Sequence, residues 1–205
     1  MFLEGIIKSY FDTGKIEIES KFTPKRVKDI VFTAMKNTNR FNGLIEKPCS
    51  LIEHCFFVSK YAQDLYKIYV DVFDEREYQI VGLLGLIHDL GEVVVGDMVY
   101  PLKTRNFCNM EIQKLEMDFL KWFMYYVYDY KLEINEELMK YVTKADHHSG
   151  VFELIGISLN DDFETKHLFE SLIETNNKYL KVINNDEIQG YEKRLELILK
   201  GLKHG

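Results

Sequence analysis

The stretch VGLLGLIHDLGEVVVGDMVYPLK, residues 81–103, decides the reading of this chain. An apolar, glycine-bearing run delivers an adjacent His88–Asp89 pair. Glu92 follows, Asp97 lies just past Gly96, and Pro101 and Lys103 close the segment. A neutral imidazole beside a carboxylate is a donor set for a divalent cation, and two more acids can handle protons or position water. Successive side chains of a regular helix point in different directions, so His88 and Asp89 can serve one ion only near a helix end or an irregularity. Gly91 supplies one. The remaining ligands must come from elsewhere in the chain.

Immediately upstream, Asp74 or Glu75 opens a helix through Ile80, Leu83, Leu84 and Ile87 that ends near His88–Gly91. Before it, Ser50-Leu-Ile-Glu53 has capping-box form ahead of an apolar run. Ile52, Phe56, Ser59, Ala62 and Tyr66 share a face of that helix, which runs to about Val70 and carries His54. Thr23-Pro24 starts an earlier helix, with a hydroxyl cap and proline in the first turn, that fades over Lys36–Asn39. Residues 1–22 are mixed and of unknown role, and the alternation in GKIEIES suits a brief strand.

Downstream, residues 92–106 read as a short helix or loop, and a long helix spans about 108–130. The aromatic run Trp122–Tyr130 on that helix suits a core or a homodimer interface. Asn135 caps another helix, with Leu138, Tyr141, Val142 and Ala145 facing inward and Gly150 as a break or bend. Residues 162–183 and 187–202 make two closing amphipathic helices. The expected architecture is a single all-α domain, a compact helical bundle over 23–205.

Composition narrows the function classes. The chain has 205 residues, 46% hydrophobic and 29% charged, enough for one well-buried domain. Thirteen Tyr and fourteen Phe supply a large aromatic core, and only three Pro argue against a loop-rich chain. With 26 basic and 33 acidic residues the net charge is −7, which does not suit a nucleic-acid polymer as partner. Cys49, Cys55 and Cys108 lack CxxC spacing, so a reducing cytoplasm is expected rather than a disulfide framework. No signal-peptide pattern is seen and no apolar run approaches the roughly 20 residues needed to span a bilayer, so no membrane partner is expected.

His54, then His88-Asp89, then Asp146 is an ordered H…HD…D set on three expected helices. Mixed nitrogen and oxygen ligation suits a catalytic first-row metal with positions left open. This order resembles the HD-domain phosphohydrolase superfamily. His88-Asp-Leu-Gly-Glu92-Val-Val-Val-Gly-Asp97 resembles more narrowly the HDxxExxxGD pattern of its 5′-deoxynucleotidase branch. Pro101-Leu-Lys103, Asn39-Arg40-Phe41, Glu53-His54 and Thr143-Lys-Ala-Asp146 also match, so the motif-bearing core covers roughly residues 36–150.

The resemblance implies an all-helical domain with one divalent cation (Co, Mn, Mg, Fe or Zn) held by His54, His88, Asp89 and Asp146. It implies catalytic roles for Glu92 and Asp97 beside the metal water, and phosphate contacts from Arg40 and Lys103. Phe41, beside Arg40, can pack against sugar or base, and His147 and His148 are candidates for the pocket edge, His147 for sugar or base. Glu53 reads first as the capping partner of Ser50, Cys55 as packing, and His167 and His204 as surface. The implied substrates are deoxyribonucleoside 5′-monophosphates. The alternatives are a deoxynucleoside triphosphate triphosphohydrolase and, in a different class, a non-catalytic nucleotide-binding or regulatory domain.

Overall fold

A computed structural model describes residues 2–40, 49–96, 108–158 and 187–204. Phe41, Asp97, Lys103, His167 and the helix expected over 162–183 lie outside the described residues. The described elements are α1 (Phe2–Thr13), α2 (Pro24–Asn37), α3 (Leu51–Tyr69), α4 (Glu75–Ile87), α5 (Glu92–Val95), α6 (Cys108–Tyr128), α7 (Glu136–Ser158) and α8 (Glu187–His204). The fold is all-α, and its only β pairing among the described residues is an isolated antiparallel bridge between Asn39 and Ser50.

The helix starts are set by local chemistry. Thr23 accepts from the Arg26 amide at the head of α2, with Pro24 in the first turn. At α3 the Ser50 side chain accepts from the Glu53 amide while Glu53 Oε2 accepts from the Ser50 amide at 2.8 Å, a complete capping box. Asp74 caps α4 through the Glu77 amide at 2.8 Å, and Asn135 Oδ1 accepts from the Glu137 amide at 2.9 Å at the head of α7. Each such cap is worth about 1 kcal/mol, so together they fix where the helices begin.

Packing is centred on α3 and α4. Leu51, Ile52, Cys55, Phe56, Val58, Ala62, Leu65 and Tyr66 of α3 are buried, as is the continuous run Val81–Ile87 of α4. Against the expectation that no apolar run approaches spanning length, Glu75–Val95 is by length and composition apolar enough to cross a membrane. Its apolar window is 67% buried inside the bundle, the behaviour of a central core segment.

These two helices touch backbone to backbone. A Cβ added at Gly85 would lie 2.6 Å from Ser59 Cα, so only glycine permits the approach. Ser59 Oγ donates to the Gly82 carbonyl at 2.7 Å across the same seam. From α8, Arg194 donates to Ser59 Oγ and, at 2.6 Å, to Gln63 Oε1. Tyr191, also on α8, is fully buried and donates its hydroxyl to the Leu86 carbonyl. The last turn of α4, which leads into His88, is thus held from both sides.

Three details differ from the sequence reading. The N-terminal segment is a helix that packs onto the domain, burying Phe2, Ile6 and Tyr10, and Tyr10 donates to Asp118 of α6 at 2.7 Å. Its i, i+4 apolar spacing governs; residues 15–19 form no strand, and the Glu17 amide bonds back to Ser9 Oγ at 3.2 Å. Gly150 does not break α7, which continues to Ser158. A mid-helix glycine costs only about 1 kcal/mol, too little to end a helix on its own.

Gly85→Ala is expected to lower stability by at least about 1–3 kcal/mol, the range for overpacking a close contact. Urea denaturation of the metal-free protein reads this directly.

Candidate metal centre

Four side chains from three helices converge. His54 lies in the first turns of α3, His88 is the C-cap of α4, Asp89 is the next residue, and Asp146 comes from the middle of α7. After Ile87 the chain tightens: the Leu90 amide bonds to the Ile87 carbonyl at 3.0 Å and the Glu92 amide to the Asp89 carbonyl at 2.9 Å. This departure from the regular helix lets adjacent His88 and Asp89 reach one point. Gly91 belongs to the turn for a packing reason, since a Cβ there would lie 2.8 Å from Glu116 Cα of α6.

The donor atoms fit one small cation. His54 Nε2 lies 3.2 Å from His88 Nε2, 3.4 Å from Asp89 Oδ2 and 3.1 Å from Asp146 Oδ1. His88 Nε2 lies 3.3 Å from Asp89 Oδ2 and 3.7 Å from Asp146 Oδ1. Donors about 2.0–2.2 Å from one ion stand roughly 2.8–3.6 Å apart at adjacent positions of an octahedral or tetrahedral shell. These separations lie within that span, except the 3.7 Å one just beyond it, and an octahedral shell leaves positions open. Two imidazoles and two carboxylates also suit first-row divalent ions. His54 is buried and the other three are half-buried, so the group is sheltered yet reachable.

Hydrogen bonds behind the rings aim them. His88 Nδ1 is 2.9 Å from the Gly85 carbonyl, which can only accept, so Nδ1 carries a proton and Nε2 is turned toward the other donors. His54 Nδ1 is 3.2 Å from Ser149 Oγ. Burial alone would lower the His88 pKa, but the Asp89 charge and bonds to Asp146 and Asp89 outweigh it and hold the ring well above 6.5. Burial likewise disfavours the charged Asp89, yet His88 and His54 keep it well below its usual range. Asp146 is lowered in the same way, against its own burial, by His54 and His88. Both carboxylates are therefore ionised at neutral pH.

Arg40 reaches the same group. The bridge between Asn39 and Ser50 fixes its backbone, with the Arg40 amide 3.1 Å from the Cys49 carbonyl. Its Nη1 donates to Asp89 Oδ2 at 2.7 Å, and Nη2 lies 3.7 Å from Asp146 Oδ1. Glu92 is buried at the first position of α5 and is not one of the four donors. His147 is exposed, whereas His148 Nδ1 sits 2.9 Å from the Tyr61 hydroxyl on α3, with burial, Lys144 and His147 lowering its pKa. Glu53 is committed to the capping box, and Cys55 is buried in the core.

Ser149 carries no motif in the sequence, where it follows directly on His147 and His148. Helical spacing was the available signal: residues three apart share a face, so Asp146 and Ser149 point together toward α3.

The family model described as 5′-deoxynucleotidase YfbR-like matches residues 30–195, a span that contains all four donors, Arg40 and Glu92. Comparison with curated proteins and with solved structures gave no match.

The raised His88 pKa gives a testable pH dependence. In the metal-free protein its protonated form contributes stability that is fully present below about pH 6.5 and is lost as pH rises through the higher folded value. A cation competes with that proton for Nε2, so affinity should rise with pH and binding should release protons. Thermal melts of EDTA-treated protein should fall as pH rises above about 6.5, while titration calorimetry in buffers of different ionisation enthalpy should show proton release. Melts that climb with pH in the metal-free protein would contradict this electrostatic account.

Proposed function

Because the chain belongs to the YfbR-like 5′-deoxynucleotidase family, we propose that it hydrolyses the 5′-phosphate ester of deoxyribonucleoside monophosphates with the help of one divalent cation. The observation that carries this reading is the convergence of His54, His88, Asp89 and Asp146 at separations that suit a single ion. When bound, such an ion supplies Lewis acidity at a phosphoryl oxygen and lowers the pKa of water toward about 7.

The chain's own residues do the rest. His54 and His88 offer neutral nitrogen donors, and Asp89 and Asp146 offer charge that offsets the ion's. Arg40 lies within reach of that charge, and its planar fork suits two phosphate oxygens bidentately, holding phosphorus in line for attack. The departing 5′ oxygen must gain a proton as its bond to phosphorus breaks, and the attacking water must lose one. Glu92, buried in the turn after Asp89, is proposed to orient the water and carry a proton between these steps. Asp97 and Lys103 are proposed to share the acid–base and phosphate roles, and Phe41 and His147 to border the sugar or base, on the strength of the sequence pattern.

With Co²⁺ or Mn²⁺ present, the purified protein should release inorganic phosphate from deoxyribonucleoside monophosphates, and Asp89→Ala should abolish turnover. Glu92→Gln should lower kcat by about 10²–10⁴-fold while cation affinity changes little, the span expected for losing a general acid–base group. Release of intact triphosphate from deoxynucleoside triphosphates would select the triphosphohydrolase reading instead. No turnover of any nucleotide by demonstrably metal-loaded protein would leave the non-catalytic binding reading in its place.

A further inference from the structure

We propose that Ser149 is a positioning residue for the cation site: its Oγ accepts the Nδ1 proton of His54 and thereby turns His54 Nε2 toward the other three donors. The inference rests on the cation-binding reading of the site and is independent of which nucleotide is the substrate.

The geometry is specific. Ser149 Oγ and His54 Nδ1 are 3.2 Å apart, and both residues are almost wholly shielded, at 2% and 1% exposure. In such surroundings an imidazole N–H needs a protein partner, because water is not at hand to replace one. A neutral imidazole carries one ring proton. If it sits on Nδ1, Nε2 presents a lone pair to the ion; if it sits on Nε2, ligation is blocked. An acceptor behind Nδ1 therefore selects the binding-competent tautomer and also fixes the ring's rotation.

The two histidines solve this problem differently. For His88 the acceptor is the Gly85 carbonyl, part of the backbone of its own helix. For His54 the facing group is a side chain delivered by another helix. One turn of α7 thus acts twice: Asp146 donates to the site directly, and Ser149 acts on it through His54, across the α3–α7 contact. Tyr61 and His148, bonded at 2.9 Å between the same two helices, hold them in register beside this pair.

The test is cation binding, read without substrate. EDTA-stripped wild type, Ser149→Ala and Ser149→Thr are titrated with Mn²⁺ or Zn²⁺ by calorimetry at one pH. Ser149→Ala should keep one ion per chain but bind it about 10–100-fold more weakly, as for loss of a group that orients a ligand. Ser149→Thr, which keeps a hydroxyl, should recover most of the affinity. Urea denaturation in EDTA should show all three folded. A Ser149→Ala protein that binds within about twofold of wild type overturns the proposal, as does a folded Ser149→Thr as weak as the alanine variant.

Should Ser149→Ala not fold, the Co²⁺-loaded wild type decides. Its proton spectrum in water should show two hyperfine-shifted imidazole N–H signals, both in slow exchange with solvent. A His54 signal lost to rapid exchange would mean that Nδ1 faces water rather than Ser149. Because binding is read without turnover, failure here leaves the nucleotidase reading intact, and absence of turnover leaves this one intact.

Discussion

The closeness of α3 and α4 is the constraint on which the site depends. At Gly85 the two backbones meet with no room for a methyl group, since a Cβ there would lie 2.6 Å from the Ser59 Cα. Ser59 bonds the Gly82 carbonyl, and Arg194 and Tyr191 of α8 press on the same seam. That contact sets the separation between a residue early in α3 and a residue at the end of α4. His54 and His88 are those residues, and their Nε2 atoms end 3.2 Å apart. A looser seam would move one ring relative to the other, and a gap of about 1 Å is already large against a metal–ligand bond of about 2 Å.

The electrostatics of the same site oppose stability. Two carboxylates are gathered around two imidazoles in a partly dehydrated place, where charge loses the solvation it has in water. In the protein alone the cluster is balanced from within, by protonation of His88 and by the Arg40 guanidinium on Asp89. A divalent cation would replace that balance with a stronger one, which places Arg40 next to any phosphate drawn to the ion. The group that steadies the carboxylates and the group proposed to bind phosphate are then the same residue. Proteins commonly give up stability at sites of this kind.

Much of this was legible in the sequence because the determining signals are local. The Ser50–Glu53 box, the Thr23-Pro24 start and the Asp74 cap placed three helices to within a residue or so, and the HD motif picked out the four residues that the fold brings together. The need for a helix end at His88–Asp89 followed from helical geometry alone. What was not legible depends on contacts distant in the chain. α1 had no assigned place because one of its partners, Asp118, is far away in sequence. Gly150 looked like a break because composition cannot show that the surrounding helix outweighs one glycine. Ser149 was masked by two neighbouring histidines, and its relevance emerges only when α7 is laid against α3.

The central claim is that His54, His88, Asp89 and Asp146 hold one divalent cation. Anomalous diffraction from crystals grown with Mn²⁺ or Co²⁺ tests it most directly. The account predicts a single strong peak per chain, about 2.0–2.2 Å from the two Nε2 atoms and from one oxygen of each carboxylate. A peak elsewhere, or none between these four residues in protein shown to carry the metal, would contradict it.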